Sequence, residues 1–213
     1  MKKLIVSLLA FTLSMSVGAK SLRDLWLSMP DSLLPTFNKN LRLEFVELKD
    51  LGVKPEVKNL LGDNCLIDTL SNDYLQMATS QQAVLQMKML PMEDRDSILC
   101  VVKTFSAPEK ESDVRFYDQD WHEIARKNFV SDDVWEDLTR YFKSKPDTMS
   151  TEKYDEMFRM VEPVMVSANL SLDDETLTFS LSLPLVSKEE KEALNALIVQ
   201  RKFKWNRKRF NEN

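Results

Sequence analysis

The sequence predicts an α+β fold: an antiparallel meander sheet with helices packed on one face. Three observations predict it. Between Glu56 and Tyr117 apolar residues recur with a period of two, and before and after that region they recur at helical spacing. The third is the near absence of glycine, 3 in 213 residues, which implies regular elements joined by short polar turns. The stretch Ser97–Ile124 organises the rest. Ile98, Cys100 and Val102 alternate with Leu99, Val101 and Lys103, so this strand is apolar on nearly both faces and belongs at the centre of the sheet. Val114 and Phe116 alternate with Arg115 and Tyr117 in a half-buried neighbour.

At the N-terminus, Met1–Lys3 is basic and Leu4–Val17 is apolar, followed by the small residues Gly18-Ala19. This is the form of a secretory signal peptide over residues 1–19, too short for a comfortable membrane span. An uncleaved membrane anchor is the rival reading. Cleavage after Ala19 would leave one α+β domain over 20–213, periplasmic or secreted, with no later stretch long enough to span a membrane. Ser21 and Asp24 resemble a capping box, and Leu22, Leu25, Trp26 and Met29 form one helical stripe. Pro30 stops that helix. Asp31-Ser32 is positioned to cap a second one carrying Leu33, Leu34 and Phe37. Asn40–Asp50 is amphipathic through Leu41, Phe45 and Leu48, with Gly52 as its C-cap.

Strands are then expected at Val57–Leu61 and Cys65–Leu70 around a Gly62-Asp63-Asn64 turn, and at Tyr74–Thr79 and Ala83–Leu90. With Ser97–Phe105 and Asp113–Tyr117 they make about six strands in succession. Leu75 and Met77 share one face, as do Leu85, Met87 and Met89. Gln76, Gln86 and Lys88 occupy the alternate positions, so that face is expected to be wet. Two amphipathic helices follow, one with Val134, Trp135, Leu138 and Phe142, the other with Tyr154, Met157, Phe158 and Val161. Val164–Leu172 and the alternating Leu177, Phe179, Leu181, Leu183 and Leu185 read as a hairpin. Ser187 and Glu190 form a second capping-box pattern before Ala193, Leu194, Leu197 and Ile198. A last strand through Phe203 and Trp205 is expected to fray. The recurrence of sheet and helix raises a duplication of 56–161 by 164–205.

Several function classes lack their apparatus. Without Lys2 and Lys3 the chain holds 27 basic against 34 acidic residues, a net charge of about −7, which disfavours nucleic acid as a partner. The glycine-dependent phosphate cradles, nucleophile elbows and dinucleotide loops cannot be assembled, and no cofactor pattern is present. His122 is the only histidine, which excludes a multi-histidine metal site; it reads as a hairpin-tip residue. Asp118/Asp120, Asp132/Asp133 and Asp173/Asp174/Glu175 fall where turns and caps are expected, and a weak cation site or a glycosidase carboxylate pair is the alternative. Cys65 and Cys100 lie three strands apart in a meander, about 14 Å at ~4.8 Å per strand, beyond disulfide reach, so both are expected to be buried free thiols.

Eleven methionines are present, and Met77, Met87, Met89 and Met92 cluster on neighbouring strands, as filler of a core or lining of an apolar groove. The segment Arg201–Arg209 carries six cations interleaved with Phe203 and Trp205, a solvated edge or a surface for anionic envelope material.

The segments LRDLWLSMPDSLLPTFNKNLRLEF (Leu22–Phe45), LSNDYLQM (Leu70–Met77), ILCVVKTFSAP (Ile98–Pro108) and SDVRFYDQDW (Ser112–Trp121) resemble an uncharacterised secreted family of Bacteroides-type gut and oral bacteria. The resemblance implies a source and a compartment and brings no catalytic or ligand residues. The pattern around FYDQDW is also similar to small periplasmic domains of the PepSY or β-lactamase-inhibitor-like type.

The leading expectation is therefore a non-enzymatic envelope module that binds a protein or peptide. A carrier of an apolar ligand in a Met-lined groove is the second expectation, and a carboxylate-based hydrolase the third. Met77, Met87, Met89, Lys204, Trp205 and Arg207 are the expected binding surface. No catalytic, cofactor-binding or metal-ligating residue is assigned.

Overall fold

The computed structural model describes residues 20–93, 96–132, 134, 145, 147, 149–159, 165–182, 187–195 and 200–213. Seven strands follow one another in a single antiparallel meander: β1 (Glu56–Lys58), β2 (Asn64–Leu70), β3 (Tyr74–Ser80), β4 (Ala83–Leu90), β5 (Ile98–Ser106), β6 (Lys110–Tyr117) and β7 (Glu123–Ile124). The fold class is α+β, as the sequence predicts. The β4–β5 ladder runs unbroken from Ala83↔Phe105 to Leu90↔Ile98, and β5 is buried on both faces through its first five residues.

Helices α1 (Leu22–Ser28) and α2 (Lys39–Asp50) cover one face. The Ser21/Asp24 capping box is formed, and Leu22, Leu25, Trp26 and Met29 are all buried. They pack with Phe45, Val46 and Phe37 against Cys65, Ile67, Leu75, Met77, Leu85, Met87, Leu99 and Val101. The expected second helix is only a 3-10 turn, Asp31–Leu33. Pro35 explains this, because proline cannot donate within a helix and clashes with the preceding turn. Likewise β1 stops at Lys58 rather than Leu61, since Asn59 starts a turn.

The opposite face is not wet. A second sheet covers it, in the order β11-β10-β9-β8: β8 (Met165–Leu170), β9 (Thr176–Ser182), β10 (Arg201–Trp205) and β11 (Phe210–Glu212). Cys100, Val102, Val114 and Phe116 of the first sheet share one apolar cluster with Ala168, Leu170, Leu177, Phe179, Phe203, Trp205 and Phe210 of the second. Gln86 and Lys88 are only 4% and 3% exposed. The C-terminus does not fray. Asn206 Oδ1 accepts the backbone N–H groups of Lys208 and Arg209, at 3.0 and 2.9 Å, and turns the chain back into β11. Helices α3 (Thr151–Arg159) and α4 (Lys188–Asn195) complete the described elements. The Ser187/Glu190 capping box forms at the start of α4. Trp135, Leu138, Phe142, Val161, Leu183, Leu185, Leu197 and Ile198 lie outside the described residues.

The buried polar residues have a specific task. β8 is an edge strand of its sheet, so alternate backbone groups have no ladder partner. Side chains of the first sheet supply them. Ala168 N–H donates to Ser112 Oγ at 2.9 Å, and Leu170 N–H donates to Gln86 Oε1 at 3.1 Å. Lys88 Nζ donates to the Leu172 carbonyl at 3.1 Å and pairs with Asp73 at 3.0 Å. The two N–H donors of the Gln86 amide have three acceptors within 3.0 Å, Tyr74 Oη, Gln76 Oε1 and Asn169 Oδ1.

Orphaning a buried backbone donor costs on the order of 1–3 kcal/mol. Gln86→Ala should therefore lower unfolding stability in urea by about 3 kcal/mol. Lys202→Ala, at an exposed position of β10, should change it by less than about 0.5 kcal/mol.

Candidate functional site

A cleft of about 310 Å³ lies at one end of the seven-stranded sheet. Its roof is the segment from Leu33 to Thr36, its floor the ends of β4 and β5, and its side the loop between β1 and β2. Leu33, Leu34, Pro35, Leu61, Val84 and Phe105 make the lining largely apolar.

Each wall is fixed by a polar side chain. Arg42, buried on α2, donates to the carbonyls of Phe37 and Met29 and pairs with Asp31 at 2.9 Å, so the roof hangs from a helix. Lys103, half-buried on β5, donates to the Leu33 carbonyl and ties the roof to the floor. Burial pushes the Lys103 ammonium below its ordinary pKa, opposed by the charge of Asp113. In the side wall, Asn59 Oδ1 accepts the N–H groups of Leu61 and Asp63 at 2.9 and 3.0 Å, while Asn59 Nδ2 donates to the Thr79 carbonyl at 3.2 Å. Gly62 takes φ +89°, a conformation that a Cβ would strain. Leu60 N–H then donates to the Thr36 carbonyl at 2.9 Å and joins side wall to roof. Leu61 is thus held 75% exposed at the rim, and Phe105 55% exposed across from it.

The expected binding residues are divided between the two faces of the sheet. Met77 and Met87 are completely buried, and Met89 packs against the same helix-side core. They fill space and do not line the cleft. Trp205 is buried in the other cluster, its indole N–H donating to the Pro91 carbonyl at 2.7 Å. Lys204 and Arg207 are exposed beside it. Cys65 and Cys100 are free and buried, and they belong to opposite faces of the sheet. Burial raises the pKa of both thiols.

The acidic clusters hold turns. Asp118 Oδ1 accepts the N–H groups of Asp120 and His122 at 2.8 and 2.9 Å, and Asp118 Oδ2 lies 2.9 Å from His122 Nδ1 on an exposed hairpin tip. Asp174 Oδ1 accepts Thr176 N–H at 3.1 Å. Asp133 lies outside the described residues. Two further, more open hollows exist. One of about 570 Å³ is lined by Gln76, Asn169, Thr178 and Lys202, and one of about 390 Å³ by Asp113, Arg115, Glu123 and Lys127.

Sequence reading missed Lys103, Phe105 and Leu61. One signal was present: Lys103 interrupts the apolar row Leu99, Val101, Phe105 on a strand otherwise read as central. Leu60-Leu61 continues the apolar spacing of β1 but lies beyond its end at Lys58.

Residues 14–210 match the model of a family described as "Protein of unknown function (DUF3256)". The chain belongs to this family. The resemblance drawn from Leu22–Phe45 and Ser112–Trp121 to an uncharacterised family agrees with that membership. A solved structure, a domain of an uncharacterized protein from Porphyromonas gingivalis, superposes on the DUF3256 chain with a TM-score of 0.73 at 22% identity. The match covers 90% of this chain and 98% of that one, and it speaks for the fold alone. No curated protein matches the chain.

Asn59 carries the side wall, so Asn59→Ala should release it. The amides of Leu61 and Asp63 should lose hydrogen-exchange protection while those of β4 and β5 keep theirs. Global stability should fall by about 2 kcal/mol.

Proposed function

We propose that this chain is a non-enzymatic module of the cell envelope that binds a protein or peptide through the apolar cleft under Leu33–Thr36. The observation that carries the reading is the pairing of two exposed apolar side chains, Leu61 and Phe105, with a framework that holds them in place. A preorganised apolar hollow gains free energy on burial without a large ordering cost. Its volume of about 310 Å³ is at the lower end for small-molecule sites, which run from about 300 to 1,000 Å³, and suits one or two anchoring side chains. A Met-lined ligand groove is less well supported, because Met77 and Met87 are core residues.

The test is selection from a soluble library of random dodecapeptides, with bound sequences read by mass spectrometry. Retained peptides should be rich in aromatic and aliphatic residues. Phe105→Glu and Leu61→Glu should reduce their recovery at least tenfold with an unchanged melting temperature. Recovery that is indifferent to both substitutions would reject the cleft as the binding site.

The envelope location rests on the basic start, apolar run and small-residue end of residues 1–19. The fold is compatible with cleavage after Ala19. Lys20 Nζ reaches the Gln119 carbonyl at 2.8 Å and Asp120 at 2.7 Å, and Ser21 caps α1, so the helix start needs nothing before Lys20. Among the described residues no helix is long and apolar enough to cross a membrane. N-terminal sequencing of protein recovered from the periplasmic fraction should begin at Lys20; full-length chain in the cytoplasm would refute the placement.

A further inference from the structure

We infer that the cleft receives the C-terminal end of an apolar peptide, with Lys103 as counter-ion of its free carboxylate. The inference rests on the peptide-binding reading and specifies what part of a peptide binds. An ammonium has three N–H donors. Among the described residues Lys103 uses them on one partner, the Leu33 carbonyl. Its cross-strand neighbour Asp113 is engaged elsewhere, accepting Arg115 Nε at 2.7 Å. Asp63, the other charged residue of the lining, makes no ion pair with it among the described residues.

Lys103 thus feels the Asp113 charge across the strand but makes no ion pair among the described residues, and a charged acceptor is the ligand group that its remaining N–H donors favour most. Around it the lining offers Leu33, Leu34, Val84 and Phe105 to an apolar side chain. A single ligand group that combines both features is a terminal residue with an aliphatic or aromatic side chain. An internal peptide segment lacks the charge. A long acyl carboxylate has the charge but exceeds what a short, open hollow can enclose. Leu61 at the rim is placed to meet the residue before the end.

The probes are two pools of fluorescein-labelled hexapeptides ending in Leu or Phe, one with free C-terminal acids and one with C-terminal amides, read by fluorescence anisotropy. Wild-type protein should bind the acid pool at least tenfold tighter, equivalent to about 1.4 kcal/mol. Lys103→Met should bind both pools equally. Lys103→Arg, which keeps the charge, should keep the preference, and thermal melts establish that each variant is folded.

Equal binding of acids and amides by the wild type would overturn the inference and leave the peptide-binding reading standing. Binding of neither pool, together with no recovery from the dodecapeptide library, would remove both. Decanoate binding more tightly than the acid pool would overturn the peptide end in favour of a lipid carboxylate.

Discussion

The structure depends on how the edge of β8 is satisfied. Two sheets can share a core only if the polar backbone brought into it is paired, and β8 enters the interface with one side of its ladder empty. Ser112, Gln86 and Tyr74 fill that side from β6, β4 and β3, and Lys88 holds the Leu172 carbonyl just past its end, so the contact between sheets is a set of directed bonds as well as an apolar cluster. The directed bonds fix the register of β8 over the first sheet; Phe116, Phe179, Phe203 and Phe210 then supply the non-directional burial. A strand in this position with its edge exposed would be a template for aggregation. Here the edge is consumed internally.

The same device recurs at several of the described turns. With two glycines in the described residues, reversals are held by side-chain acceptors: Asn59, Asp118, Asp174 and Asn206 each receive backbone N–H groups. Two turns go further and place a non-glycine residue in the left-handed region, Trp121 at φ 66° and Arg207 at φ 70°. Trp121 is held there by its ring against Tyr117 and its indole N–H on Ser28 Oγ, so the hairpin tip is clamped to α1. Side-chain-bonded turns have fewer alternatives than glycine turns. In the Asn59–Asp63 loop the Asn59 acceptor acts together with the left-handed Gly62 to present a leucine to solvent without collapsing it onto the core.

Much of the fold was legible because its signals are local. The Leu22/Leu25/Trp26/Met29 stripe, the Ser21 and Ser187 caps and the central character of β5 all follow from spacing within a few residues. The face carrying Gln76, Gln86 and Lys88 was not legible. Alternation of polar with apolar residues marks a strand with two different environments, and it does not say whether the polar one is water or another backbone edge. Only the later strands, some 80 residues on, decide that, through contacts such as Gln86 with Leu170. Met77 and Met87 were ambiguous for the same reason: a thioether row suits a core and a groove equally until the helices are placed. The cleft was the least legible part, because three separate segments build it and no one of them carries a pattern.

These features bear jointly on what the cleft can do. Its roof is bonded to α2 through Arg42 and to β5 through Lys103, and its side wall is bonded to the roof through Leu60 and Thr36. Roof, floor and side therefore cannot be moved independently, and closing the hollow would break the hydrogen bonds that join them. An open apolar hollow maintained against collapse is costly, since burying Phe105 and Leu61 on each other would recover free energy at about 25 cal/mol per Å². The framework that prevents this collapse runs through Arg42, a buried arginine whose guanidinium is devoted to backbone carbonyls and Asp31. A chain that only needed a stable core could place an aliphatic residue there and let the roof pack down. Retaining a buried charge to hold the roof up accords with the proposal that the cleft is a preorganised binding surface.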